Sequence, residues 1–290
     1  MGTMRDRSDI SWGQPGAFSL PAFVPAVAAL AMMAFAWQLA ASSQSFGTAE
    51  NSASAGAVNN SSPIPVGTVL PVRLDDTVSI KEAHPGQTIE AKIMQDVPLP
   101  SHKKIPKRSS VNGSILTVVK DNDGEGVKVT LRFVQIDDHK QILPVVTSLR
   151  AVASFNAVRT AQLPFTDVDS GTPNGWADTT QIGGDIRYGD GGEVRNVAKQ
   201  KVGKGVTGGV LVHLSANPGL GCDGPVSGDD PLQALWVFSA DACGVYDLKG
   251  LQISHNGKSA PLGEITLHFN KVDTKIEAGT GILLRVLAKP

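Results

Sequence analysis

IPVGTVLPVRLDDTVSIKEAHPGQTIEAKIMQDVPLPSHKKIPKRSSVNGSILTV, residues 64–118, is the stretch that decides the fold. Leu70, Val72 and Leu74 alternate with Pro71 and Arg73. A period of two predicts a strand from Val69 with one buried and one wet face. Pro71 has no N–H to donate, which predicts an edge strand or one whose pairing begins late. His84-Pro85-Gly86-Gln87 reads as a turn, because proline pre-sets φ and glycine accepts φ > 0. Ile89, Ala91 and Ile93 then share one face of a strand over 88–97, ended by Pro98 and Pro100. Val111 to Val119 is the next strand, with a turn at Asp121-Asn122-Asp123-Gly124 and a partner over 127–136. Residues 142–149 close the run. This many short strands in 63–150 predicts a small β-barrel or sandwich module.

Outward from this stretch, the totals agree with an all-β chain. Among 290 residues there are 31 glycines and 18 prolines, frequent punctuation that suits short strands and turns better than helices. The net charge of −1 provides no basic field for nucleic acid, and 5% aromatic content is thin for a stacking surface.

Upstream, residues 1–16 are polar and no charge falls between Ala17 and Trp37. Ala26–Trp37 is wholly apolar over 12 residues, a length that fits a signal-peptide core, since a membrane span needs about twenty. Ala41 and Ser43 place small residues for a cut before Gln44. Counting back to Ala17 gives 21 uncharged residues, enough for an uncleaved anchor. Residues 1–43 therefore read as a signal peptide or membrane anchor, and 44–62, rich in Ser, Ala, Asn and Gly, as a flexible spacer. The expected location is exported: periplasm, envelope or extracellular, tethered to a membrane through the N-terminal segment alone.

Downstream, 151–290 reads as a second, loop-rich β module. Residues 151–180 look loop-like. Asp167-Val168-Asp169-Ser170-Gly171 opens like a calcium loop, but the twelfth position is Asp178 rather than the bidentate Glu. Gly203-Lys204-Gly205 lacks both the preceding glycine and the following Ser/Thr of a phosphate-binding loop. In an exported chain Cys222 and Cys243 are expected as a disulfide, whose loop would contribute about 3 kcal/mol in the chain-entropy model. A metal site would need more ligands, and no Cys-x-x-Cys or His-x-x-x-His spacing is present. Trp236 and Phe238 alternate with Val237 and suggest a strand packed against the bridge.

The first stretch also carries a family resemblance. Gly67 to Leu74, Pro85-Gly86, Ile89 to Val97 and Ile105 to Ser109 resemble the C-terminal β-barrel of the TrbI-type scaffold proteins of conjugation and type IV secretion. The likeness implies a barrel fold. Arg108 stands where that family has glycine, and no segment resembles its long helical extension, so a channel role is not implied. The elements WVFSADACGVY, ISHNGKSAPLGEITL and GTGILLRV resemble uncharacterised secreted bacterial β-proteins, a likeness that names no activity.

One pattern crosses the chain. Ile64 leads through Gly67-Thr68 to Arg73, and Ile276 through Gly279-Thr280 to Arg285, with the same spacing in both; Ile105 to Ser109 is a looser copy. The spacing reads as a reused device of apolar anchor, turn and Arg-bearing strand, which places the last strand near the first. Gly67, Thr68, Pro85, Gly86, Gly279 and Thr280 are thus structural turn residues. For chemistry, no Gly-x-Ser-x-Gly occurs and the six histidines are scattered. Catalytic, cofactor and metal residues are not expected. The expected function is a non-enzymatic exported cell-envelope scaffold or binding module whose partner is an envelope protein or surface component, not nucleic acid. The alternative is an envelope hydrolase whose site assembles from distant residues.

Overall fold

Alternating apolar residues build the first half of the chain into nine strands: β1 (Val69–Leu74), β2 (Val78–Ser79), β3 (Thr88–Ile93), β4 (Val97–Pro98), β5 (Lys104–Ile105), β6 (Ser110–Lys120), β7 (Val127–Asp137), β8 (Ile142–Pro144) and β9 (Thr147–Ala153). The structure, a computed structural model, describes residues 64–122, 124–164, 178–189, 191–226 and 231–288. The N-terminal segment, the spacer and most of the calcium-like stretch lie outside the described residues. Asp178 is described, and its Oδ1 accepts the N–H of Gly189 at 2.9 Å.

The stretch read as loop from 151 is not loop at its start. β9 continues to Ala153, and a helix, α1 (Phe155–Gln162), follows. Ser154 caps it, its Oγ accepting the Ala157 N–H at 3.0 Å. Val158 and Ala161, one turn apart, bury its inner face. Then come β10 (Thr179–Thr180), β11 (Ile186–Arg187), β12 (Glu193–Arg195), β13 (Lys201–Val206), β14 (Gly209–Val212), β15 (Gln233–Ala234), β16 (Gly244–Tyr246), β17 (Leu251–Asn256), β18 (Ile265–Phe269), β19 (Lys275–Ile276) and β20 (Gly281–Val286). The chain is all-β, with α1 the α-helix among the described residues. No helix of the described residues is long and apolar enough to cross a membrane.

The largest sheet runs β16-β9-β20-β1-β3-β6-β7-β18-β17, with β8 beside β7. It draws strands from both sides of residue 150, and that residue lies inside β9. The end strands β16 and β17 follow one another in the chain, and β17 comes within 8 Å of β9. The sheet therefore curls back on itself as an incompletely closed barrel. Its interior holds Leu70, Val72, Ile93, Phe133, Ile136, Ile265, Phe269 and Leu284. Each such side chain contributes about 1.5–3 kcal/mol on burial.

A second sheet, β10 to β15 in chain order, packs with α1 on the outside of β9, β20 and β1. Val69, Ala151, Ala153 and Leu283 face Val158, Val210, Val212, Leu235, Trp236 and Phe238 in this second core. β1 consequently has both faces covered rather than one wet, and all seven residues of β9 are buried. Pro71 does not mark a sheet edge, because β1 lies between β20 and β3. Its pairing with β3 does begin late, at Val72. Beyond the end of β3 the Val69 N–H donates to Gln233 Oε1 at 3.0 Å, and Pro71 has no N–H to satisfy there. Trp236 and Phe238 are buried in this core but belong to a turn; the strand is Gln233–Ala234. Gly203, in β13, lies so close to β14 that a Cβ would come 2.2 Å from the Leu211 carbonyl oxygen.

Four strands, β1, β3, β6 and β20, are launched by one repeated turn. Its third residue has positive φ: Gly67 (88°), Gly86 (85°), Arg108 (74°) and Gly279 (91°). The N–H of the next residue closes the turn onto the carbonyl three residues back, in Thr68→Pro65, Gln87→His84, Ser109→Pro106 and Thr280→Glu277. Two further bonds clip a neighbouring strand. Gly67 donates to Val286 O and Val286 N–H donates to Thr68 O; Gly279 donates to Leu74 O and Leu74 N–H to Thr280 O. Gly86, Ile115 and Gln87 repeat this, as do Arg108, Ile93 and Ser109. The turns work reciprocally: that of β1 clips β20 and that of β20 clips β1, and β3 and β6 stand in the same relation. Ile64, Ile105 and Ile276, three residues before Gly67, Arg108 and Gly279, are buried anchors, and the partly buried Ala83 holds that place before Gly86.

Candidate functional site

The barrel is open along one seam. β16 is three residues long and pairs in parallel with Ala151–Ala153 of β9. Before Ala151 the outer edge of β9 has no strand neighbour among the described residues, and β17 ends the sheet on the other side. The segment after β14 lies over this seam. It is pinned by the Cys222–Cys243 disulfide, with an S–S distance of 1.98 Å and a Cα–Cα distance of 6.0 Å. Cys243 N–H also donates to the Tyr246 hydroxyl at 3.0 Å, and burial raises the pKa of that phenol.

Arg150 fixes the segment from beneath. It is 4% exposed, inside an apolar strand. Its Nη1 donates to Asp223 O at 2.6 Å, and its Nη2 donates to Ser215 O at 2.6 Å and Ala240 O at 3.4 Å. Its Nε has no partner among the described residues. Burial, and then Arg285 close by, lower its pKa to about 10, so the group stays charged at neutral pH. Arg285 reaches the same segment, with Nη2 donating to Gly224 O at 2.8 Å. Lys258 Nζ lies 2.5 Å from Asp223 Oδ2. That hydrogen bond, reinforced by Lys258, Arg285 and Arg150 charge, holds the Asp223 carboxyl below the usual range.

Two cavities meet here. One, of about 310 Å³, lies among Gly67, Arg150, Asp223, Val226, Lys258 and Arg285. The other, of about 530 Å³, runs along the whole of β17. They share Leu149, Arg150, Cys222 and Asn256 as a common wall. In the smaller cavity three cations face one carboxylate, a local charge of +2. Gly67 shapes its mouth: a Cβ there would come 2.4 Å from Val226 Cγ2.

The larger cavity includes a second polar group. His255 Nε2 is 3.1 Å from Ser259 Oγ, and its Nδ1 is 2.7 Å from Glu264 O. Elsewhere, His268 Nε2 meets Asp121 Oδ2 at 2.7 Å. No group of three His, Cys, Asp or Glu among the described residues is placed to hold a metal ion.

Of the turn residues singled out in the sequence, only Gly67 lines this site. Thr68 is buried behind it. Gly279 and Thr280 lie at the other end of β20, with Gly279 against Phe155, and Pro85 and Gly86 sit in an exposed turn. The basic loop at 103–108 is structural in part: Lys104 Nζ bonds Asp96 Oδ2 at 2.5 Å and the Lys107 N–H bonds Asp96 Oδ1 at 2.8 Å. Sequence reasoning missed Arg150. Its signal was a lone arginine in the apolar run Leu149-Arg150-Ala151-Val152-Ala153. Comparison with protein-family models, curated proteins and solved structures finds no match for this chain.

Proposed function

We propose that the chain is a non-enzymatic, exported cell-envelope module that binds a partner or ligand at the disulfide-walled seam. The observation that carries this reading is the Cys222–Cys243 bond, set in the wall of a cationic cavity. Disulfides persist in oxidising compartments, which fits the export signal read in residues 1–43. The resemblance of residues 64–118 to a scaffold-protein barrel points the same way. The test is fractionation of expressing cells with N-terminal sequencing and intact mass under non-reducing conditions. The expected result is an envelope or secreted protein with both cysteines oxidised. A cytoplasmic protein with two free thiols overturns the reading.

A second reading, an envelope hydrolase, is favoured by the His255–Ser259 contact. A neutral imidazole at hydrogen-bond distance from a hydroxyl can act as a base toward it. The orienting partner is a main-chain carbonyl rather than a carboxylate, and the serine lies four residues along the same turn. Such a contact also serves as ordinary turn bonding. A fluorophosphonate probe decides: labelling at Ser259, abolished in His255→Ala, establishes the hydrolase, and an unlabelled folded protein excludes Ser259 as an activated nucleophile.

A further inference from the structure

The smaller seam cavity has a cationic floor whose guanidinium groups bond carbonyls rather than carboxylates. Arg150 gives its Nη groups to Asp223, Ser215 and Ala240 carbonyl oxygens and leaves Nε unbonded among the described residues. Arg285 gives Nη2 to Gly224 O. Lys258 has Asp223 as its ion-pair partner. A carbonyl dipole is a weak counter-charge for a guanidinium, and a guanidinium has five donors, so donors remain on the part-exposed Arg285, while the buried Arg150 adds its charge from beneath.

The walls are of the opposite character. Val66 and Val226 are 49% and 58% exposed at the mouth, and Leu149, Val286 and Leu287 continue inward. A volume of about 310 Å³ is within the usual range for small-molecule sites. An inorganic anion would satisfy the arginines but leave the valines wet. An inserted peptide strand does not fit. Strands lie about 4.8 Å apart, so a strand added between β9 and β17 needs its flanks about 10 Å apart. β17 approaches β9 within 8 Å.

We propose that this cavity binds a small organic carboxylate, its head group on Arg285 above the buried Arg150 charge and its hydrocarbon body along Val66, Val226 and Leu287. The proposal rests on the binding-module reading above and names the ligand class for that site. Burial and then the nearby Arg285 charge lower the Arg150 pKa, and such a ligand relieves the second of these.

The test is calorimetric titration of the purified, oxidised full chain with octanoate, octanol and inorganic phosphate. Octanoate is expected to bind at least about tenfold more tightly than either, the scale of one charge-assisted hydrogen bond. Arg285→Gln is expected to weaken octanoate about tenfold or more and leave octanol unchanged. Val226→Asn, on an exposed segment, keeps the fold if the arginine variant loses it, and is expected to weaken octanoate about tenfold without changing the melting temperature. Octanol or phosphate binding as tightly as octanoate overturns the proposal, as does unaltered octanoate binding in either folded variant. Disulfide state and location are read on the same material. An oxidised, exported protein indifferent to octanoate refutes the ligand class alone, whereas a reduced cytoplasmic one refutes the module.

Discussion

Replacing Gln95 tests how the outer sheet is fastened to the barrel. Gln95 is 1% exposed, between β3 and β4. Its Nε2 donates to Val210 O at 2.8 Å, and its Oε1 accepts the N–H groups of Val210 at 3.1 Å and Trp236 at 2.9 Å. The side chain thereby gives Val210 the bonds a neighbouring strand would give. Gly209 makes room, since a Cβ there would come 2.1 Å from Oε1. Gln95→Leu keeps the volume, strands the Val210 and Trp236 N–H groups where Val210 is fully buried, and leaves Val210 O with the longer bond from Leu235 N–H at 3.3 Å. At about 1–3 kcal/mol for each stranded N–H and about 1 kcal/mol for the lost carbonyl bond, the loss is about 3–7 kcal/mol. Burying the leucine returns about 2 kcal/mol, leaving a net cost of about 1–5 kcal/mol. The middle of that range, about 3 kcal/mol, is a substantial share of the roughly 5–15 kcal/mol of an ordinary domain and corresponds to a melting shift of about 10 °C.

The assay is denaturant unfolding with hydrogen exchange. The Val210 and Trp236 amides are expected to lose protection first, while Phe133 in the barrel keeps it. Gln95→Glu refines the test. It keeps an acceptor for the two N–H groups but places a buried carboxylate beside Val210 O. Its folded pKa is then raised, so its stability falls as pH rises through that value, and the acid form restores a donor. A Gln95→Leu protein within about 1 kcal/mol of the parent refutes the fastening argument.

Three further outcomes follow from the same geometry. Reducing the disulfide, or replacing both cysteines by serine, frees a loop with a sequence separation of 21 and is expected to cost about 3 kcal/mol, read as a lowered urea midpoint with reductant. Gly279→Ala is expected to cost clearly more than Gly86→Ala by thermal unfolding. Both glycines have positive φ, worth about 1–2 kcal/mol, but a Cβ on Gly279 would come 2.5 Å from Phe155 while Gly86 has open space. Burial raises the Asp185 carboxyl above the ordinary Asp range, against the pull of the Ala240 N–H and with Asp241 adding to the rise. The folded state then holds a proton that the unfolded state has released, so stability falls as pH rises from the unfolded value through the folded one. Asp185→Asn cannot titrate, and its urea midpoint measured across that window is expected to lose this decline and exceed the parent at neutral pH.

The alternation of Leu70, Val72 and Leu74 was legible as a strand because period two is a local signal. What covers the other face of that strand was not legible. The second sheet comes from residues more than a hundred positions later, and periodicity names a face without naming a neighbour. The same limit applies to Trp236-Val237-Phe238, which alternates like a strand but is a buried turn. α1 was readable in principle from Ser154 with Val158 and Ala161, but eight residues leave little periodicity beside the proline and glycine run that follows. The Gly67 and Gly279 echo was the long-range signal in the sequence, since matched turns at the two ends of one strand pair demand matched residues. Arg150 had no such signal, because an arginine in an apolar strand becomes intelligible only when the carbonyl groups it meets are known.

The pairing of β1 with β20 also explains why the site has the arginine it does. Arg73 and Arg285 occupy equivalent positions, six residues after Gly67 and Gly279. In the register they stand opposite Gly281 and Val69, at opposite ends of the pair. The barrel alone therefore treats them alike. Arg73 remains exposed, whereas Arg285 lies under the segment that follows β14 and bonds Gly224 O. The difference is made by the disulfide-bonded segment, which the ladder does not hold and the Cys222–Cys243 bond does. A closed barrel would need no such bond at this place. Because β16 pairs only at Ala151–Ala153, the seam stays open before that point, and Arg150, Arg285 and the bridge meet where the hydrogen-bonded wall is missing.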